Sequence, residues 1–379
     1  MRKEFIVAEK EFKDHLKSKR FLALFAIVMI LAIAGMFGGL DNYHQQLDQY
    51  KSQQAQNVQN GNNAMMIQSM QANLDNLTAS GADQHDIEVA QYQLEDAKNP
   101  IMPSILTIYY SLTNPFYTVG MILAIAIGFD LITREHDDGT LKSLLSRPIY
   151  RDSVINGKAI AAIALIAVVL AATFLISGAI LLFNHIVPQG DDLSRMIALY
   201  VVSLLYMVVF LAIAMMVSAL AKNTSMAMII SLGIVVVIYV IPSIAWPITS
   251  AIIGPQPQYP QYNYDPSADP QQQQQLQAQM QKQYDMAEAN YYNEQTNIQN
   301  ILNGISPQYW YGQLTSALSS RSSPGYTPGT DWVIIEHKNL SMTVWDSISY
   351  YWIGLLVIIV EIILAFAVSY VKFMRMDIR

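Results

Sequence analysis

The chain has 379 residues, of which 53% are hydrophobic and 13% charged, and it contains no cysteine. An average soluble domain is nearer a quarter charged, so an ordinary soluble enzyme is disfavoured, and the same numbers exclude disorder and a collagen-like chain. Without cysteine there is no disulfide framework, thiolate metal site or cysteine nucleophile, and a formal net charge of −7 argues against nucleic acid as a partner.

Residues 1–20 alternate charged and apolar groups, with Phe5, Ala8, Phe12 and Leu16 on one helical face. They predict an amphipathic helix lying on the cytosolic membrane surface. A first span follows at 21–40. It lacks a small-residue cleavage site and is expected to remain as an anchor. The polar segment 41–100 shows helical stripes (Met66, Met70, Leu74, Leu77; then Ile87, Ala90, Leu94, Ala97) between turn signals. It reads as an extracellular helical segment continuous with the ends of the spans. The second span covers 101–133, interrupted by Pro103 and Pro115, and the cytosolic loop 134–153 leads to further spans at 154–183, 195–221 and 224–253. A second extracellular segment, 254–346, opens with prolines and a glutamine run, then predicts a helix reaching to about Leu302. Ser306-Pro307 breaks that helix; a short aromatic helix over 308–320 follows, near the outer surface, and Trp332–Ile335 has the pattern of a strand. The last span, 347–373, ends in a cytosolic tail, 374–379. A spanning helix needs about 20 mainly apolar residues. The expected fold is therefore an all-α polytopic membrane protein with six transmembrane helices, an N-terminal interfacial helix and a helical extracellular domain.

Orientation follows from the basic residues. With the N-terminus inside, the short inner segments hold 16 of the 22 lysines and arginines, and the outer segments hold 18 of the 29 acidic residues. Both termini are expected in the cytoplasm and the chain in the cell membrane.

The loop between spans two and three is the most informative stretch. After Asp130, the pattern is Glu135, Gly139-Thr140-Leu141, Leu144-Leu145-Ser146, Pro148 and Arg151, then Gly157-Lys158. Thr140 is suited to cap a short helix, Leu141, Leu144 and Leu145 give it one apolar face, and Pro148 stops it. Gly139 is expected to take a conformation that side chains resist. A two-turn amphipathic helix on the cytosolic side fits the groove of a partner; the alternative is a helix that only tidies the loop.

This pattern, with the N-terminal helix, the six spans and Ser306-Pro307, resembles the ABC-2-type permeases, closest to the NosY-like, multicopper-enzyme-maturation branch. The resemblance implies a transmembrane subunit whose coupling helix, within 135–148, docks on a separate ATPase. ATP and magnesium would be held by that ATPase and no cofactor by this chain. The N-terminal helix would support the coupling helix. Two permeases, identical or paralogous, and two ATPases would make one transporter, with export as the implied direction.

The residues agree on the division of labour. A phosphate-cradling loop needs G-x-x-x-x-G-K-[ST], and the nearest match, Gly157-Lys158-Ala159, lacks the first glycine and the hydroxyl. Two acids lie in or near the bilayer. Glu361, midway along the last span, costs roughly 2–3 kcal/mol to insert and is either a functional group or a protonated hydrogen-bonding one. Asp130 is expected to pair with Lys158 or Lys222 at its depth. Pro242 and Pro247 should kink or end the fifth span. The six histidines show no metal-ligand spacing. Asn76 and Asn339 head glycosylation triplets on the predicted outside, and Asn223 heads one inside, where it should be unused. The rival reading is a membrane-anchored sensor or scaffold with a ligand-binding extracellular domain.

Overall fold

The computed structural model describes residues 3–59, 62–81, 87, 90–91, 94, 97–98, 103–137, 139, 150–259, 270–320 and 343–376. Every regular element among them is helical: α1 (Lys3–Leu16), α2 (Lys19–Gln59), α3 (Asn62–Ser80), α4 (Leu106–Pro115), α5 (Met121–Gly128), α6 (Thr133–Asp137), α7 (Arg151–Phe183), α8 (Gly190–Leu220), α9 (Thr224–Ile253), α10 (Pro270–Asn303), α11 (Pro307–Ser320), α12 (Val344–Tyr350) and α13 (Trp352–Met374). Five stretches among the described residues are long and apolar enough to cross a membrane: Lys19–Ser52, Leu106–Glu135, Arg151–Phe183, Gly190–Leu220 and Trp352–Met374. The expected fifth span is the 30-residue α9, which carries no charged residue. This is an all-α polytopic membrane protein. Ile30, Leu175, Ile229 and Leu364 stay exposed, as side chains facing lipid do.

The spans alternate in direction, so the bundle has two ends. One carries α1, the start of α7, the end of α8 and the start of α9; the other carries the α7–α8 turn and helices α3 and α10. They are called the α1 end and the far end. The polar starts of the helices are capped locally. Asn223 accepts from the Met226 N–H at 2.8 Å, and Thr343 and Asp346 form a reciprocal capping box. At 1.5 Å per residue the 41-residue α2 is about 60 Å long, twice the hydrocarbon thickness, so it projects well past the far end. The continuity expected between the first span and segment 41–100 is thus present.

Span two is broken where Pro115 predicts a break. A π-helical turn, Phe116–Gly120, separates α4 from α5. Proline lacks the N–H that would bond the Ser111 carbonyl, and that carbonyl faces α2 at Gly35. A Cβ on Gly35 would lie 2.8 Å from it, and one on Gly39 would lie 3.0 Å from the Ile108 Cα. Small residues four apart let the two backbones close up in this way. In the fifth span the prolines do not end the helix: α9 continues through Pro242 and Pro247.

The amphipathic N-terminal helix divides its residues between protein and surroundings. Val7, Ala8 and Glu11 are buried, whereas Phe5 and Leu16 are exposed. The buried side packs on the start of α7, where Gly157 admits it. A Cβ on Gly157 would sit 2.7 Å from Val7 Cβ and 2.8 Å from the Glu4 carbonyl oxygen. Gly157→Ala should therefore push α1 off α7, at about 1–3 kcal/mol for such overpacking. Gly178→Ala, where a Cβ meets nothing within 4 Å, is the control on the same helix. A lower melting temperature in detergent for the first and not the second is the expected result.

Candidate functional site

The α1 end gathers most of the buried charge among the described residues. Lys158, on α7, is 2% exposed and its Nζ pairs with Glu11 Oε2 at 3.1 Å and Glu135 Oε1 at 2.9 Å. A single ammonium thus joins α1, α7 and α6. Arg20, at the start of α2, pairs with buried Asp130 at 3.3 Å. The expected pairing of Asp130 with Lys158 or Lys222 is corrected by this geometry: two glutamates from other elements claim Lys158. These groups line a cavity of about 580 Å³, together with His15 and Arg134. Burial holds the His15 imidazole below its usual range; Glu11 and Asp130 oppose that shift, and Lys158 and Arg134 add to it.

The five-residue α6, which leads into the loop, is tied to other spans as well. The Ser218 hydroxyl, near the end of α8, accepts from the Ile132 and Thr133 N–H groups at 3.0 and 3.1 Å. Asp137 accepts from Thr224 at the start of α9, through the backbone N–H at 2.8 Å and the hydroxyl at 2.7 Å. At Gly139 the chain turns with φ +66°, the left-handed region expected of that glycine. Beyond the loop, Arg151 donates to the Met374 and Met376 carbonyls at 3.1 and 2.9 Å, at the end of the last span. The loop is therefore flanked on one side by contacts to α1, α7, α8 and α9, and on the other by a contact to the end of α13.

Of the residues singled out in the sequence, Glu135, Gly139 and Arg151 fall at these anchor points. Thr140, Leu141, Leu144, Leu145 and Pro148 lie outside the described residues, as do Asn339 and Trp332–Ile335. Asn76 is exposed on α3. The side chain of Asn223 is used as the cap of α9. Glu361 is far from the charged cluster in sequence and span, and its Oε2 is buried without a hydrogen-bond partner among the described residues.

Two features escaped the sequence. Glu11 was hidden among the lysines of α1; its signal is the i, i+4 spacing from Val7, which puts a carboxylate on an apolar face. At the far end, Arg195 is fully buried. It donates to Asp191 at 3.1 Å, to the Leu318 carbonyl at 3.1 Å and to the Ser347 hydroxyl at 3.5 Å. That packs α11 against the bundle. Tyr311 stacks on Tyr206 with centroids 4.1 Å apart and shares a 3.0 Å hydrogen bond with Ser203. Ser203 is about 20 Å along α8 from its start, so α11 dips between the spans.

The fold and the anchored loop define a polytopic membrane protein built to link one loop to many spans. The sequence model described as ABC-2 family transporter protein matches residues 5–378. The chain belongs to that family and is an ABC-2-type permease. The match names the family as a whole and no branch within it. No curated protein matches the chain significantly.

Proposed function

We propose that the chain is the membrane subunit of an exporter, in which the loop over 135–148 receives force from separate ATPases that hold ATP and magnesium. The observation that carries this reading is the anchoring of that loop. Glu135, Asp137 and the Thr133 N–H on one side, and Arg151 on the other, tie it to α1, α7, α8, α9 and α13. A push on a loop held in this way is delivered to the whole bundle. In this reading the α1 end faces the cytoplasm of a cell membrane, and α3 and α10 belong to the extracellular side. A second permease, identical or paralogous, completes the transporter.

Docking is tested at the apolar face of the loop. Each buried leucine contributes roughly 1.5–3 kcal/mol, and 1.4 kcal/mol is a factor of ten. Leu144→Glu with Leu145→Glu should weaken capture of the ATPase by about a hundredfold or more and abolish its stimulation. Unchanged capture and stimulation would favour the sensor or scaffold. Topology is tested separately in the naturally cysteine-free chain. Ser52→Cys should react with an impermeant thiol reagent in intact cells and Ser143→Cys should not; the reverse pattern inverts the orientation.

A further inference from the structure

The far end contains a second recess, of about 370 Å³, between α4 and α11. Its wall is made by the phenols Tyr110, Tyr117 and Tyr309, the amides Asn114 and Gln313, hydroxyl side chains and Gly312. Among the described residues that line it, none is charged and none is aliphatic. Such a wall is out of place on a stretch apolar enough to cross a membrane. Polar groups on such a stretch are costly where they face hydrocarbon without partners, and are tolerated where they line water or a ligand.

The recess is built into the fold. Tyr117 is fixed by its carbonyl, which accepts from the Tyr206 hydroxyl at 2.7 Å, and by its ring against Tyr311. Tyr309 donates to Asn300. Thr113 and Thr315 turn their hydroxyls back to the Tyr110 and Tyr311 carbonyls, each at 2.8 Å. Gly312 keeps the space open: a Cβ there would lie 2.8 Å from the Tyr117 hydroxyl.

The chemistry of the wall selects its ligand. A charged ligand would find no countercharge in the wall. A hydrocarbon would cover the exposed Asn114 amide without pairing it, which is a strong ground for rejection. A ligand with many hydroxyls on a compact carbon ring satisfies both features, because amides pair with hydroxyls and phenol rings cover C–H faces. We propose that this recess binds a segment of neutral glycan. The inference deepens the permease reading by naming a substrate class and rests on it for the term substrate alone, because binding is measured on the permease without any ATPase.

The test uses the purified full-length chain in a detergent without a sugar headgroup, titrated with maltotetraose, cellotetraose and the N-acetylglucosamine tetramer. Saturable binding of at least one is expected. Asn114→Ala and Gln313→Ala should each weaken it at least tenfold with unchanged melting temperature, and Gly312→Val should abolish it. A galacturonate tetramer, of the same size but anionic, should not bind. Failure of all three neutral tetramers, equal binding of the anionic one, or full affinity in both alanine variants would overturn the proposal. Loss of glycan binding with intact ATPase capture rejects this inference alone, and the converse rejects the exporter reading alone.

Discussion

Replacing Lys158 with methionine should leave Glu11 and Glu135 facing each other in the α1-end cavity without their shared cation. The Glu11 and Glu135 side chains are 11% and 14% exposed, so neither glutamate recovers full hydration by a small shift. Breaking a buried ion pair from one side typically costs about 3–5 kcal/mol, because a desolvated charge is left behind. The expected result is a sharply lower melting temperature and poor accumulation of Lys158→Met. The same principle predicts the repair. Glu11→Gln, Lys158→Met and Glu135→Gln together remove all three charges and should recover most of the stability. If the triad also carries force between α1, α6 and α7, the repaired variant should fold yet transport poorly while its ATPase still binds. A Lys158→Met protein as stable as wild type would remove the triad from any account of this end.

Arg195→Leu should release α11 at the opposite end. The guanidinium is fully buried and its donors reach α8, α11 and the hydroxyl of Ser347 on α12. Hydrogen bonds that involve a charged group contribute roughly 1.5–3 kcal/mol each, so losing two should cost on the order of 3 kcal/mol or more. Asp191 is half-exposed and can return to water, whereas the Leu318 carbonyl cannot. Arg195→Lys should fail in part, since an ammonium does not reproduce the planar fork. The readout is a single cysteine at Leu314, which is fully buried in the native fold. It should be silent to a soluble thiol reagent with Arg195 present and reactive with leucine in its place. Equal silence in both would show that packing of Tyr311 on Tyr206 holds α11 without the arginine.

The membrane character and the helical class were legible from the chain because both are local quantities. Run length and hydropathy decide whether a segment can cross a bilayer, and each run in this sequence carries its own answer. The same holds for the break at Pro115, the turn at Gly139 and the helix restart after Ser306-Pro307. In each case one residue restricts its own backbone. Pro242 and Pro247 show the limit of that argument, since α9 continues through both.

What only the tertiary structure decided are the partners of charges and the side each amphipathic face turns inward. Arg20 and Asp130 are separated by 110 residues, and no spacing rule links them. Lys158 was available to Asp130 by depth alone, yet the approach of α1 over Gly157 delivers Glu11, and the turn at α6 delivers Glu135. The stretch 308–320 reads in sequence as a short aromatic helix near the outer membrane surface; that Arg195, Ser203 and Tyr206 give its polar atoms and rings partners inside the bundle is settled by packing. The sequence determined which segments enter the membrane, because that depends on local hydropathy. Packing determined which charges meet there, because desolvation makes a buried ion accept whatever partner the fold brings within reach.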